Sequence, residues 1–441
     1  MACLSLFSLT ALGPGAAAGA PVGGHAGTPD PGCNGGRPQS LGTSLGTLDG
    51  VLVAPLTGND EAIGLVYTRG GALHLRIEAF TATCQELSTF GRRGVADITV
   101  PAVADRTGAD ISTMTAGRGG TLLLGGTNGA AWLLGRVLAD GRLDPTFGRG
   151  GWVALTPPPA EHGEVAAPEV ESAGQRDGAV LAAGNDGGAH CCVQPLVAEV
   201  SGRGRPDPAF GHHGWARTSG VGSFSEQVLA PAGGPIVMAT SVIFMGCGGT
   251  ELSALTPAGL TDGPAQRELD REVRTAKGGA SFFLGTLFDR ASGRFGLVGG
   301  GAAACVGSGP TTAQSFGRLV GFLPQGAPDP SVHHGTPASF ASPPALAVWA
   351  ATTSHGDVVS VVAPFEAEGL QSGLWSLEVR EFSPDGSLRP SFGQAAGGVV
   401  ALPEMPAPGS VASAIAVGVV GGDVVVAAMS TKGAVVTRLL A

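Results

Sequence analysis

Cysteine and histidine are the residues of this chain whose types and spacing could do chemistry. Cys191, Cys192, Cys247 and Cys305 follow one another along the middle of the sequence, and His190 precedes the first two. Thiolate and imidazole ligands suit zinc, but these residues lack the C-x-x-C spacing that is typical of structural zinc sites. Disulfides between neighbouring loops are therefore the favoured interpretation, and a zinc site is the alternative.

Six cysteines remain once Cys3, in the apolar N-terminal run, is set aside: Cys33, Cys84, Cys191, Cys192, Cys247 and Cys305. An even number of cysteines in an exported chain favours disulfides. We expect a Cys33–Cys84 bridge that is separate from the bridges among the other four.

Two signatures of known enzyme classes are absent from the sequence, since it contains no H-E-x-x-H helix and no paired-carboxylate signature. Glycine runs such as 299–301 are not followed by a helical pattern, so they are not phosphate-binding loops. Asp186 could bind calcium, but no repeated D-x-D ladder accompanies it. The sequence assigns no catalytic or cofactor-binding residue, and it leaves only calcium and zinc open as cofactors.

A short sequence motif, called the phrase below, recurs along the chain and sets its organisation. Its copies place Phe three residues after Asp and Gly next, and the best preserved residues are Asp144, Phe147, Gly148, Asp207, Phe210, Gly211, Phe90, Gly91, Phe392 and Gly393. The Asp position marks repeat starts near residues 30, 87, 144, 207, 270, 329 and 389. A period of about 60 residues is the signature of a repeat architecture.

The phrase has a structural explanation. Asp before Pro starts a turn, and Gly after Phe permits a positive φ. The Phe side chain should fill the gap between neighbouring units, and Cys33, Val273 and Val332 replace it in degenerate copies. His212-His213 and His333-His334 occupy the variable positions after Gly or its equivalent, so we interpret them as turn residues rather than ligands.

Each unit carries four short strand-like runs. In the second unit these are residues 95–100, 110–116, 121–126 and 131–138, separated by Gly and Asp turns. Such units bury both faces when they are stacked around an axis. The pattern predicts an all-β fold, a seven-bladed β-propeller of four-stranded repeats of about 60 residues, with a solenoid or sandwich array as the alternative. If the strand after each phrase is the outermost strand of the preceding blade, residues 36–45 should supply the closing strand.

These features together resemble a known repeat family. Leu143 to Trp152, the Asp177-Gly178 turn and Arg136 to Leu143 resemble the delta-60 repeat family of bacterial exported proteins. The resemblance covers nearly all of the chain after residue 28, and the first, fifth and sixth units depart most because they lack Phe-Gly. It implies a propeller-like fold and an extracellular setting. It implies no activity, and therefore no catalytic residues.

The N-terminus resembles a secretory signal. The run from Ala2 to Leu12 is apolar but too short to span a bilayer, and Ala18-Gly19-Ala20 resembles a cleavage site. No Lys or Arg precedes the run, which departs from the usual pattern. We expect residues 1–20 to be a signal peptide, 21–28 a linker and 29–441 one propeller domain, secreted, extracellular or on the cell surface.

Charge and hydropathy limit the partners. The net charge is −10 and no basic stripe is present, so nucleic acid is excluded as an expected partner. No later stretch is apolar for about 18 residues, so we expect no membrane span, and we expect a monomer.

Long loops mark one face of the predicted ring: residues 156–168, 184–195, 241–250, 300–314 and 364–373. Loops on a rigid scaffold often bind ligands, although such loops are also tolerated as insertions. The predicted function is a non-enzymatic binding or interaction module that recognises a surface glycan, a protein or a small molecule through this face. The alternatives are a hydrolase or lyase with its site at the mouth of the central channel, and a purely structural module.

Overall fold

The computed structural model describes residues 26–46, 48–101, 109–158, 170–186, 195–218, 225–244, 247–277, 282–302, 315–342, 345–353, 355–364, 374–393, 398–406, 415–420, 422–430 and 433–440. Strands dominate this part of the chain. In chain order the elements are β1 (Gln39–Leu41), β2 (Leu48–Pro55), β3 (Glu61–Arg69), β4 (Ala72–Phe80), β5 (Val95–Thr99), β6 (Ala109–Ala116), β7 (Leu122–Asn128), β8 (Trp132–Val137), β9 (Trp152–Leu155), β10 (Val170–Arg176), β11 (Ala179–Asn185), β12 (Pro195–Val200), β13 (Trp215–Arg217), β14 (Ser225–Leu229), β15 (Ile236–Phe244), β16 (Cys247–Leu255), α1 (Gly263–Lys277), β17 (Phe282–Arg290), β18 (Arg294–Ala302), β19 (Ser315–Phe322), β20 (Ala338–Phe340), β21 (Ala345–Thr352), β22 (Val358–Pro364), β23 (Leu374–Phe382), β24 (Val399–Pro406), β25 (Ile415–Val420), β26 (Asp423–Ser430) and β27 (Gly433–Leu439). Short 3₁₀ turns span Asn34–Gly36, Arg118–Gly120, Ala291–Gly293 and His333–Gly335.

The strands form antiparallel meanders in a β-propeller arrangement. Five sheets have four strands each, in the orders β2-β3-β4-β5, β6-β7-β8-β9, β10-β11-β12-β13, β21-β22-β23-β24 and β1-β27-β26-β25. The first strand of each consecutive meander is innermost, and the strand that follows the phrase is outermost. Second strands such as β26 carry small apolar residues and are buried along most of their length, because neighbouring sheets cover both faces.

The N-terminal strand closes the ring, as the sequence predicted. β1 pairs antiparallel with β27, with Gln39 opposite Val436 and Leu41 opposite Ala434. Pro29 adds a bridge to Leu439. The first described residues and the last ones therefore share one sheet, and its strand order can form only when both ends of the chain are in place.

The prediction of seven four-stranded blades is not confirmed. Strands β14 to β20 form one seven-stranded sheet. Strand pairing joins its two antiparallel parts, β14–β16 and β17–β20, at one short stretch, where Gly248 and Gly249 pair in parallel with Phe282 and Phe283. The part containing β16 has no fourth antiparallel strand, because α1 follows β16 where the other units continue into one.

The fifth repeat start was placed wrongly at residue 270. The predicted phrase from Leu269 to Val273 lies inside α1. The Asp262 N–H donates to the Ala254 carbonyl at 2.9 Å, as the Asp207 N–H donates to Glu199 at 2.9 Å. Asp262 is thus the phrase residue of this unit.

Helix α1 forms for ordinary reasons that the sequence reading missed. The carboxylate of Asp262 accepts the Ala265 N–H and caps the first turn. Ala265, Leu269, Val273 and Ala276 recur every three or four residues and are buried against β16 and its neighbours. The all-β prediction did not include this helix.

The apolar core lies between neighbouring sheets rather than within one of them. Phe90, for example, packs with Leu122 and Val137 of the following sheet. The innermost strands contact one another in the order β2, β6, β10, β14, β17, β21 and β25, and β25 contacts β2. Within the described residues, no helix has the length and apolar character needed to cross a membrane.

Candidate functional site

The repeated phrase joins each sheet to the next. Phe90, Phe147, Phe210 and Phe392 are at most 1% exposed. The N–H of the following glycine donates to a turn carbonyl of the next sheet, at 2.7 Å from Gly91 to Asp140, 3.0 Å from Gly148 to Arg203 and 2.7 Å from Gly211 to Ala258. These residues therefore hold the ring together, and they leave no free group for chemistry.

Three arginines make a second link between sheets, and we call Arg176, Arg290 and Arg438 the bridging arginines. Each donates to the carbonyl of a turn in the next sheet, at 2.8 Å to Pro257, 2.7 Å to Pro384 and 2.6 Å to Ala82 respectively. Each also pairs with a carboxylate, of Glu199, Asp329 and Glu61 respectively. Each arginine side chain thus reaches from its own sheet to a turn of the next sheet.

The closing junction, between the β1-β27-β26-β25 sheet and the β2-β3-β4-β5 sheet, carries the densest of these networks. The predicted Cys33–Cys84 disulfide is confirmed, with the two Cα atoms 5.2 Å apart. Arg438 is 2.9 Å from Glu61 and lies against both sulfurs, at 3.3 and 3.6 Å. Burial raises the pKa of Glu61 to about 7, although the Arg438 charge acts to lower it. Cys33 thus links through sulfur where other units link through the phrase.

A hollow of about 1280 Å³ lies on the side of the ring that carries the short turns. It surrounds the β14–β15 connection, residues 230–235, and is also lined by the β10–β11 and β17–β18 turns and the start of α1. This is opposite the predicted long-loop face.

The unit at the hollow has no bridging arginine. Leu229 pairs with Val237 as Phe288 pairs with Gly296 in the next unit. Two residues further along, Pro231 therefore stands where the next unit has Arg290. The rest of the connection is Ala, Gly and Pro, so no long side chain fills the space.

The charged groups of the hollow are unequally matched. Arg176 and Arg290 are paired with Glu199 and Asp329. Among the described residues, four lining carboxylates make no salt bridge, those of Asp177, Asp207, Asp262 and Asp289, and Arg118 is the only lining cation without one. Negative charge therefore predominates on its walls.

Asp289 is the lining acid whose titration is most altered. It is half-buried at the end of β17, and burial raises its pKa to about 6. The carboxylate accepts the Arg290 N–H at 3.0 Å, but the Arg290 guanidinium is turned toward Asp329 at 2.9 Å. The carboxylate is thus held in a poorly hydrated place without a counter-charge from its own hairpin.

A second acid of altered titration lies on the other side of the ring. Asp110, half-buried near the start of β6, has its pKa raised to about 6 by burial and, to a lesser degree, by the charge of Asp49 on β2. Asp49 accepts the Thr68 hydroxyl at 2.7 Å. Sequence reasoning missed both acids and Asp289, since none of them falls in a repeated motif.

Most of the predicted site residues lie elsewhere. Cys191, Cys192 and Cys305 are outside the described residues, and Cys247 begins β16. His212 and His213 contact each other in their turn, and His333 lies 3.0 Å from the Thr336 hydroxyl. Asp186 pairs with Arg217 at 3.6 Å. The described part of the chain contains no group of three side chains suited to a metal ion.

Four of the five predicted long loops lie mostly outside the described residues. Residues 159–169, 187–194, 303–314 and 365–373 lie outside the described part of the chain. The predicted loop 241–250 is instead the end of the β15–β16 hairpin, with Ser241 opposite Thr250 and Phe244 opposite Cys247. Continuous cross-strand pairing replaces a loop there, so that part of the prediction was wrong.

Comparison with known proteins gives weak similarities of structure. No protein-family model matches the chain, and no curated protein matches it. A polysaccharide lyase is similar at a TM-score of 0.42 and 11% identity, covering 89% of this chain and 90% of that one. A gluconolactonase from Xanthomonas campestris has a TM-score of 0.37 and 13% identity, covering 99% and 98%. The WD40 domain of SCAP from fission yeast has a TM-score of 0.33 and 10% identity, covering 91% and 97%. At this level the similarities say nothing about activity or partners.

Proposed function

We propose that this chain is a non-enzymatic binding protein and that its ligand occupies the hollow on the short-turn side of the ring. The observation that carries the proposal is the hollow itself, about 1280 Å³ beside Pro231 and the small residues of the β14–β15 connection, with charged groups on its walls. Concave sites with a few converging polar groups are where ligands bind to rigid scaffolds. This site replaces the long-loop face as the proposed binding surface.

The ring is proposed to contain seven units. The circle of contacts among the inner strands β2, β6, β10, β14, β17, β21 and β25 supports this division. So does the single short parallel pairing that joins β16 to β17. In this proposal the seven-stranded sheet is two blades, and α1 takes the place of the missing outer strand.

Family and location are proposals as well. The phrase around Asp144 and Asp207 supports membership of the delta-60 repeat family. The Cys33–Cys84 disulfide is compatible with an exported protein, because disulfides persist in oxidising compartments.

The alternative function is a hydrolase or lyase that acts at the other channel mouth. It is favoured by Asp49 and Asp110, whose charges interact and of which Asp110 has its pKa raised to about 6. A buried carboxylate with a raised pKa can act as a general acid beside a second carboxylate.

A blocking variant tests the binding proposal. Ala232 is exposed and lines the hollow, so Ala232→Trp should fill it without disturbing a sheet. Ala130→Trp, in the β7–β8 turn on the opposite face, is the matched control. Ligands from a panel of neutral, acidic and basic small molecules should stabilise the wild type and Ala130→Trp in thermal melts, and they should not stabilise Ala232→Trp. Equal stabilisation of all three proteins would contradict the proposal.

A further inference from the structure

We infer that the hollow selects a ligand with a positively charged amine, and that Asp289 is the residue that binds this group. The inference rests on the proposed function, because it names the class of molecule that the same site would take. Three observations support it: the lining carboxylates that make no salt bridge, the surroundings of Asp289, and the hydrogen-bond acceptors of the hollow.

The walls of the hollow carry more carboxylates than cations. Setting aside the internal pairs of Arg176 and Arg290, the described walls of the hollow carry the carboxylates of Asp177, Asp207, Asp262 and Asp289 against the single guanidinium of Arg118. An anionic ligand would meet net repulsion in this space. A cationic ligand would supply the missing counter-charge.

Asp289 differs from the other three acids in its burial and its hydrogen-bond partners. Asp207 and Asp262 each accept a backbone N–H two or three residues ahead, of Ala209 and Ala265, as turn and helix caps do. Asp177 is exposed at a turn tip with a positive φ of 50°. Only Asp289 combines partial burial with a carboxylate that accepts just the N–H of its own neighbour, Arg290.

The hollow also contains hydrogen-bond acceptors that suit an ammonium group. An ammonium group carries three donors and no acceptor. Besides the Asp289 carboxylate, the hollow offers backbone carbonyls, because the Ala232 oxygen abuts Gly293 and the Gly178 oxygen abuts Gly202, all four of them lining residues. A side chain at position 202 or 293 would collide with these oxygens. Carboxylate and carbonyl acceptors together suit an amine better than a hydroxyl or a carboxylate ligand.

The site also predicts how binding depends on pH. The charged groups around Asp289 are Arg290 and Arg294 on its hairpin, Asp329 across from them and Asp262 from the preceding unit, and residues 230–235 add none. Burial raises the pKa of Asp289 to about 6. Amine binding requires the ionised carboxylate, so affinity should increase as the pH rises through this value.

Calorimetric titration with compounds of equal chain length tests the inference. The probes are 1,4-diaminobutane, 1,4-butanediol and succinate, and trilysine represents amines carried by a protein. The diamine should bind at pH 7, more weakly at pH 5, and the diol and succinate should bind at least about tenfold more weakly. Asp289→Asn should lose at least about tenfold in diamine affinity, whereas Glu251→Gln, an exposed acid outside the hollow, should not.

The outcomes separate the inference from the function on which it rests. Tighter binding of trilysine than of the diamine would assign the amine to a protein side chain, and the reverse would assign it to a free amine; both support the inference. Diol or succinate binding that Ala232→Trp abolishes would overturn the amine inference and leave the proposed function standing. Full diamine affinity in Asp289→Asn would overturn the role of Asp289. If no member of the panel or these probes bound, the proposed function itself would fail.

Discussion

The closing junction and the hollow are both gaps between neighbouring units of the same ring, and they are filled differently. At the closing junction, Arg438 is 3% exposed, pairs with Glu61 and touches both sulfurs of the disulfide. At the hollow, Pro231 and small residues form the β14–β15 connection, and their side chains make no polar contact with the next unit. The scaffold around both is the same antiparallel meander.

This contrast shows how a repeat protein can separate stability from binding. The ends of the chain meet at the closing junction, so that junction must resist opening, and buried ion pairs and a disulfide both act against it. The hollow lies where the chain is continuous, so its links can be removed at less risk to the ring. We expect perturbations of the closing junction to affect unfolding strongly and perturbations of the hollow to affect binding.

The largest effect is expected from Arg438→Met. The substitution leaves Glu61 buried without its partner, and breaking such a pair typically costs about 3–5 kcal/mol. Urea denaturation at pH 8, where Glu61 is ionised, should show this loss. Arg142→Met removes the exposed Arg142–Asp140 pair and should leave the unfolding free energy unchanged. Equal effects of the two variants would mean that the closing junction is not the stronger of the regions compared.

The disulfide should have the next largest effect. Cys33 and Cys84 are separated by 51 residues, and closing a loop of that length is worth about 2–4 kcal/mol. The double variant Cys33→Ala, Cys84→Ala should lose this amount in chemical denaturation, and reducing the wild type should reproduce the loss. Since Cys33 occupies the phrase position of Phe, Cys33→Phe with Cys84→Ala should recover part of it. A double variant as stable as the oxidised wild type would show that Arg438 alone secures the closure.

Beside the hollow, Gln266 sharpens the comparison because one side chain there replaces a strand. Its amide accepts the Ala254 N–H at 2.8 Å and donates to the Leu252 carbonyl at 2.8 Å. Gln266→Leu leaves both groups of the β16 edge without a partner, at a cost of about 1–3 kcal/mol. The exposed neighbour Arg267→Leu is the control, and thermal unfolding of the two variants is the measurement. A stability loss no greater than that of the control would imply that water serves the β16 edge equally well.

The sequence could predict the features that each unit repeats with local signals. The Asp-Pro turn, the buried Phe and the alternating strands recur often enough to give the sheets, the outer strand and the closing role of residues 36–45. The Cys33–Cys84 bridge was expected from the even cysteine count and from the separate grouping of the other four cysteines.

The departures from the repeat could not be predicted in the same way. Leu269-Asp270 imitates the phrase, so the helix that begins after Asp262 was hidden by a false copy. At the hollow, Pro231 occupies the position that Arg176 and Arg290 hold in other units. This equivalence can be recognised only when the strand register is known. The raised pKa of Asp289 depends on burial by other units, which no local pattern encodes.

The smallest effect is expected from Pro231→Arg, which would add an arginine link to the next unit at the hollow. Arg290 pairs with Asp329, the phrase acid of its unit, and Pro231 and Asp262 are the equivalent residues one unit earlier. Pro231→Arg should therefore place a guanidinium beside Asp262 within the hollow. Pro231→Ala is the matched control, because both variants lose the proline ring. The arginine variant should be up to about 1 kcal/mol more stable than the alanine variant, since the new pair is partly exposed. It should also bind 1,4-diaminobutane more weakly, because its charge takes the place of the ligand amine. An arginine variant that is less stable than the alanine variant and still binds the diamine would show that the two turns are not equivalent.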